Sequence, residues 1–114
     1  MKKTIILSAM AIAVLIFSNC SSSKKAAGVP KLTYESSIQT VVMANCSPCH
    51  IPAKGGNKKP YDNFTNVQKD IDEMIRRIEL NPGEKGYMPF KRAKLSDSTI
   101  AIFKQWRTDG LLEK

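Results

Sequence analysis

The feature that most constrains this chain is a five-residue segment, Cys46–His50, in which two cysteines three positions apart are followed at once by a histidine. Over one turn of backbone, the Cys46 and Cys49 thiols can reach the two vinyl groups of one porphyrin. The His50 imidazole can then lie under the ring and bind iron, so the segment predicts covalent attachment of one haem. The rest of the chain must show whether a haem would find a pocket and a second iron ligand.

The first residues of the chain predict export. Lys2 and Lys3 precede an apolar run over residues 5–17, and small and polar residues follow it. The run is shorter than the about 20 apolar residues that a transmembrane helix needs, so the pattern is that of a secretory signal. We assign residues 1–19 to this signal, with an uncleaved membrane anchor as the alternative.

Cys20 stands at the predicted cleavage point. Residues 17–20 resemble the end of a bacterial lipoprotein signal, in which a cysteine becomes the lipidated first residue of the mature chain. The resemblance implies lipidation of Cys20 and a stable membrane anchor, because the acyl chains bury many methylenes in the bilayer. A plain secreted chain is the alternative. Residues 20–31 are rich in Ser, Lys, Ala and Gly, and they predict a flexible tether.

Residues 32–114 predict a small all-α domain. Apolar residues recur at helical spacing in three segments, the first over residues 33–44. Polar residues mark the helix starts, namely Ser36 with Gln39, Thr65 with Gln68, and Ser96 with Asp97 in the first turn. Gly- and Pro-rich loops over residues 51–63 and 83–94 connect the helices, and no strand is predicted. A domain this small buries little apolar surface, so a haem would supply the centre of its core.

Only one histidine, His50, is present, so the second axial position of a haem iron would take methionine or lysine, or stay empty. Met43 is too close in sequence to the attachment cysteines to reach the opposite haem face. Met74 belongs to the apolar stripe of the second helix and predicts a core residue. Met88 lies in a loop before Pro89, which favours an extended backbone at Met88. It is the candidate ligand, and a methionine that fills a gap in the core is the alternative.

Two other interpretations of the Cys46–His50 segment are weaker. Redox-active cysteine pairs stand at a helix start within a strand–helix–strand unit, whereas here a helix precedes the pair. A structural zinc site needs four ligands, and the only cysteine outside the segment is Cys20. In an oxidising compartment Cys46 and Cys49 would form a disulfide unless haem attachment consumed the thiols.

The order of helix, Cys-x-x-Cys-His, Gly/Pro loop, middle helix, Met-Pro loop and aromatic-bearing final helix resembles a class I mono-haem cytochrome c domain. The resemblance covers residues 32–112. It implies thioether bonds from Cys46 and Cys49 to one haem c, with His50 as the proximal iron ligand and Met88 as the distal one.

The same resemblance implies that the first and last helices cross with Trp106 or Phe103 between them. It also implies that a loop carbonyl, for which Pro60 is the candidate, accepts a hydrogen bond from the proximal imidazole. A haem propionate could be bound by several polar side chains, among which the sequence does not choose: Tyr61, Tyr87, Trp106 and Arg92.

These features predict an electron-transfer protein rather than an enzyme. A thioether ligand favours Fe(II), and two axial ligands leave no open site for a substrate. A haem-based sensor or gas-binding protein with a labile sixth ligand is the alternative.

Charge predicts the partners. The chain has 18 Lys and Arg against 10 Asp and Glu, and only two basic residues precede residue 20, so about six excess positive charges remain after export. Two basic groups lie near the haem segment and Met88, namely Lys54, Lys58 and Lys59, and Lys85, Lys91, Arg92 and Lys94. No nucleic-acid motif is present. We expect redox partners with an acidic docking surface in the periplasm or cell envelope, although the lysines could serve only solubility.

Overall fold

The computed structural model of the chain describes residues 28–114, and the predicted signal, the candidate lipidation residue Cys20 and most of the tether lie outside them. The described part is helical, with the following elements: a π-helical turn at Tyr34–Ile38 that continues into α1 at Gln39–Asn45, a 3-10 turn at Pro52–Lys54, α2 at Phe64–Glu79 and α3 at Asp97–Thr108. Within it there is no strand, only an isolated parallel bridge between Thr33 and Leu112. The all-α prediction is confirmed for this part. None of its helices is long and apolar enough to cross a membrane.

The first two helices begin earlier than their predicted caps. Thr33 is the last extended residue before the π-helical turn, and its hydroxyl accepts a hydrogen bond from the Ser36 amide at 3.1 Å. Asn63 is likewise extended, and its side chain accepts from the Asn66 amide at 3.0 Å. The predicted caps Ser36 and Thr65 are therefore wrong, because both residues already have helical backbones that cannot serve as an N-cap.

The third helix begins and ends as predicted. Ser96 is extended, and its hydroxyl accepts a hydrogen bond from the Thr99 amide at 3.2 Å. Leu95 is partly buried against the core that contains Ile100, as a hydrophobic staple requires. Gly110 follows the C-cap with φ +101°, a left-handed conformation that glycine adopts without steric cost.

Trp106 is the centre of the contact between the first and last helical segments. Its side chain is fully buried, and its ring centroid lies 6.3 Å from those of both Tyr34 and Phe64. Its indole N–H donates to the Leu112 carbonyl at 2.8 Å, and the same carbonyl accepts from the Tyr34 amide at 2.8 Å. The aromatic contact expected at this place is present, and it ties the end of the domain to its beginning.

The middle helix, α2, carries the remaining core residues. Its buried side chains recur at helical spacing, namely Val67, Ile71, Met74, Ile75 and Ile78. This face packs against α3, where Ile100 and Phe103 are also buried. The neighbouring face of α2 borders an open cleft, and side chains of the apolar core form part of the wall of this candidate site.

Candidate functional site

A cleft of about 670 Å³ lies between α2 and the loops on either side of it. Its wall includes Cys46, Cys49 and His50 from the segment after α1, and Met88 from the loop after α2. All four residues predicted to hold a haem within the domain therefore border one cavity. The volume falls in the range of about 300–1,000 Å³ that is usual for small-molecule and cofactor sites.

The cysteine segment forms a compact turn at the end of α1. The Cys46 amide donates to the Val42 carbonyl at 2.8 Å, and the His50 amide donates to the Cys46 carbonyl at 3.0 Å. Gly56 lies directly against this turn, and a Cβ there would clash with the carbonyl oxygens of Pro48 and Cys49. The glycine lets the following loop fold back onto the turn, which gives the cysteine segment its fixed position beside the cleft.

The two thiols of the segment differ in environment. Cys46 is half-buried, and this burial raises the pKa of its thiol to about 11. Cys49 is exposed, and no disulfide joins the two sulfurs in the part of the chain that the structure describes. A redox-active cysteine pair relies on a thiol whose pKa is lowered. The environment of Cys46 has the opposite effect, which weighs against the thiol–disulfide alternative.

The His50 imidazole has a defined tautomer. Its Nδ1 lies 2.7 Å from the Lys59 carbonyl oxygen, and because a carbonyl can only accept, Nδ1 must carry the proton. The lone pair is then on Nε2, which is free to bind a metal ion. The Tyr61 ring stacks on the imidazole with a centroid distance of 4.7 Å and an interplanar angle of 17°. The ring is therefore oriented by two neighbouring contacts.

The carbonyl that orients His50 is not the predicted one. The sequence resemblance pointed to Pro60, whereas the structure uses the residue before it, Lys59. The reason lies in the return of the loop: the Tyr61 amide donates to the His50 carbonyl at 2.9 Å. This bond aligns the two stretches of backbone so that the Lys59 carbonyl faces the ring.

Met88 is held by the C-terminal end of α2. Its amide donates to the Arg77 carbonyl at 3.2 Å, one of the carbonyls that a helix leaves without an internal partner in its last turn. The Arg77 guanidinium reaches the Gly86 carbonyl at 3.5 Å. Tyr87 beside it is buried, and its hydroxyl donates to the Arg92 carbonyl at 2.9 Å. The backbone of Met88 is thus fixed relative to α2.

Met74 also borders the cleft, which sequence reasoning missed. It is 6% exposed and belongs to the apolar core, as predicted, but it lines the cavity as well. The residues of α2 at the cleft are spaced by three and four positions, namely Asp70, Glu73, Met74, Arg77 and Ile78. This spacing is visible in the sequence, but which face of the helix meets the cleft depends on packing.

The charged residues on this face of α2 are paired. The Asp70 carboxylate accepts from the Tyr61 hydroxyl at 2.9 Å and forms an ion pair with Lys59. Lys59, and secondarily the Tyr61 hydroxyl, hold the pKa of Asp70 below its usual value. Glu73 binds Arg76 at 2.7 Å and Arg77 at 2.6 Å. Hydrogen bonds from these two guanidinium groups lower the pKa of Glu73 to about 2.

The side chains suggested for the propionates have different positions. Trp106 is fully buried, donates to a backbone carbonyl and does not border the cleft, so it is excluded. The Tyr61 hydroxyl donates to a protein acceptor, as does that of Tyr87. Arg92 borders the cleft, and its guanidinium makes two long contacts, of 3.5 Å to the Ala44 carbonyl and 3.4 Å to the Asn45 carbonyl. Among the four, Arg92 is the best placed to bind an anion.

In comparisons with known proteins, the chain matches no protein-family model, no curated protein and no solved structure.

Proposed function

We propose that residues 32–114 form a class I cytochrome c-like domain that binds one haem c in the cleft and transfers electrons. The observation that carries this proposal is that Cys46, Cys49, His50 and Met88 all border one cavity of cofactor size. Three of them lie in the segment that follows α1, and Met88 lies in a loop 38 residues after His50. The presence of Met88 at the same cavity is therefore not a consequence of sequence proximity.

The residues at the cleft suit an iron porphyrin. Two thiols are available for thioether bonds, and the protonated Nδ1 of His50 leaves Nε2 as an iron donor. The hydrogen bond to the Lys59 carbonyl makes the imidazole a stronger donor. On the remaining wall, Ile78 and Phe103 supply apolar surface for the porphyrin faces. The bound haem would supply a one-electron Fe(III)/Fe(II) couple.

The protein's own contribution would be to orient His50 and Met88, the residues that would hold the iron, and to exclude water. Met88 offers a soft thioether that favours Fe(II), which raises the reduction potential relative to a second histidine. The backbone contacts of Met88 and the ring contacts of His50 limit movement of both donors. Such a site suits electron transfer rather than catalysis, and the chain has no second histidine to act as an acid or base there.

The mouth of the cleft is basic and partly apolar. Lys58, Lys59 and Arg92 border it, and Phe90 is 66% exposed beside them. The Lys91 ammonium lies 5.3 Å from the centre of the Phe90 ring. A redox partner with an acidic surface would be steered to this mouth by charge. With export and lipidation of Cys20, the encounter would take place at a membrane surface of the cell envelope.

The proposal is tested by expressing the chain in a host that attaches haem to exported proteins. We expect covalently bound haem whose ferric absorption spectrum contains the methionine–iron charge-transfer band. Met88→Ala should lose that band, whereas Met74→Leu, at the other methionine of the cleft, should retain it. Absence of covalent haem would rule out the proposed function.

The sensor alternative draws on the position of Met88 in a loop, since a loop can move more easily than a helix. Carbon monoxide separates the two functions, because it binds only where the sixth position is free or readily vacated. We expect the reduced parent protein to bind it slowly and incompletely, and Met88→Ala to bind it at once. Rapid, complete binding by the parent would favour the sensor.

A further inference from the structure

Asp70 joins the two residues that orient His50. The Tyr61 hydroxyl donates to Asp70 Oδ2 at 2.9 Å, and the Lys59 ammonium forms an ion pair with the same oxygen. Asp70 lies within α2, whereas Lys59 and Tyr61 lie in the loop before it. The Asp70 side chain is 15% exposed, whereas the side chain of Lys59 is 51% exposed, so the Tyr61 hydrogen bond is the more shielded of the two contacts.

Both contacts of the His50 imidazole come from these same loop residues. The Lys59 carbonyl accepts the Nδ1 proton at 2.7 Å, and the Tyr61 ring stacks on the imidazole. We propose that Asp70 is a positioning residue that acts through Lys59 and Tyr61 to keep the His50 ring with Nδ1 bonded and Nε2 free. The inference rests on the proposed haem function, for which it names the helix residue that orients the proximal ligand.

The physical basis is the difference between a helix and a loop. Residues 55–61 contain two glycines and one proline and lie outside regular structure, so their backbone has little intrinsic rigidity. Asp70 is fixed by the hydrogen bonds of α2, and its charge strengthens the hydrogen bond to Tyr61. The lowered pKa of Asp70 keeps it ionised at neutral pH. A helix thereby restrains a ring to which it has no direct bond.

The test uses the fact that the chain has a single histidine, so every histidine ring signal in the NMR spectrum belongs to His50. In the reduced, haem-loaded protein labelled with ¹⁵N, the exchange of the His50 Nδ1 proton with water is measured by NMR. We expect Asp70→Ala to speed this exchange by about tenfold or more, because the ring opens more often when its supports are loosened. Unchanged exchange in this variant would overturn the proposal.

Asp72→Ala is the matched control. It removes the same charge from the same helix, but Asp72 binds Arg107 on α3 at 2.8 Å and is 81% exposed. We expect no change in the exchange of the His50 ring proton. If Asp72→Ala speeds this exchange as much as Asp70→Ala does, loss of any negative charge from α2 is sufficient to speed it, and the proposal is wrong.

Tyr61→Phe keeps the test decisive if Asp70→Ala does not fold. It removes one hydroxyl and retains the ring that stacks on His50. Faster exchange in Tyr61→Phe than in the parent protein supports action through the Tyr61 hydroxyl. Tyr61→Phe with parental exchange contradicts that path.

Failure of the proposed function would be recognised separately. A chain that attaches no haem refutes the electron-transfer proposal, yet the exchange of its His50 Nδ1 proton with water can still be measured in the purified protein. Comparing Asp70→Ala, Asp72→Ala and Tyr61→Phe in that chain decides whether Asp70 orients the ring. If the His50 Nδ1 proton exchanges at the same rate in all three variants, Asp70 does not position the ring, whether or not the chain binds haem.

Discussion

At the scale of single residues, the site depends on a few positions where an alternative side chain has no room or no partner. Gly56 is one, because a Cβ at this position would clash with the carbonyl oxygens of Pro48 and Cys49. His50 is another, because its tautomer is set by one carbonyl at 2.7 Å. The two positions are related: the loop that Gly56 allows to fold back is the loop that brings Lys59 to the imidazole.

Gly56→Ala should therefore destabilise the protein and disturb the cysteine segment. A methyl group in contact with backbone oxygens must displace the backbone, at a cost of about 1–3 kcal/mol. Urea unfolding of the purified protein measures this cost, and a lower yield of attached haem would accompany it. Gly28→Ala is the control, since nothing lies within 4 Å of a Cβ at that position. Equal stability of the two variants would contradict the close packing described for Gly56.

At the scale of elements, α2 organises the site because it forms hydrogen bonds to the loop before it and to the loop after it. Asp70, in the first half of the helix, binds the loop that carries Lys59 and Tyr61. Near its end, the Arg77 carbonyl accepts from the Met88 amide. Glu73 lies between these points and pairs with Arg77, whose guanidinium also reaches the Met88 loop. Disturbance of this polar face should therefore reach the candidate ligands without altering the apolar core.

Acid should lower the stability of the protein by protonating Glu73 on the polar face of α2. Its pKa falls from 4.5 to about 2 in the folded protein, so the folded state favours the ionised form. The ionised Glu73 therefore stabilises the folded protein fully at pH values above 4.5, its pKa in the unfolded chain. This stabilisation is lost as the pH falls from about 4.5 towards 2. We expect the free energy of unfolding, measured with urea at several pH values, to decline across this interval. The side chain is 45% exposed, so high salt should reduce the effect.

Glu73→Gln should flatten this pH dependence, because an amide does not titrate. The same substitution at the exposed Glu113 near the C-terminus serves as the control and should leave the decline in place. A decline of parental steepness in Glu73→Gln would show that the pairing with Arg76 and Arg77 contributes no measurable stability.

At the scale of the whole molecule, the core and the cleft share the same side chains. Met74, Ile78 and Phe103 are buried residues of the core, and they also line the cavity. Few buried residues are available in a domain of this size, and small domains with little core often depend on an added staple. A haem in the cleft would complete the packing of these side chains on their open side.

Removal of the proposed attachment points, Cys46 and Cys49, should therefore lower the stability of the whole domain. We expect Cys46→Ala/Cys49→Ala to reduce the midpoint of thermal unfolding by about 10 °C or more, a shift equivalent to about 2 kcal/mol for a domain this small. Circular dichroism at the helical signal follows the transition. Cys20→Ser, which removes a cysteine outside the domain, should leave the midpoint unchanged. An unchanged midpoint in the double variant would show that the cleft holds no group that stabilises the fold.

The sequence by itself determined the features that depend on neighbouring residues. Helical periodicity and the Ser96 cap predict the helices of the described part, and Cys46–His50 places two thiols and an imidazole on one turn. The caps at Thr33 and Asn63 were missed because several polar residues near each helix start could serve, and only the backbone conformation selects one.

Only the tertiary structure decided which distant residues meet. The position of Met88 on the same cleft as His50, the use of Lys59 rather than Pro60 and the contacts of Asp70 all depend on how two loops lie against α2. The presence of Met74 in the cavity wall has the same origin. These contacts arise from packing between segments far apart in the chain, which local sequence preferences do not specify.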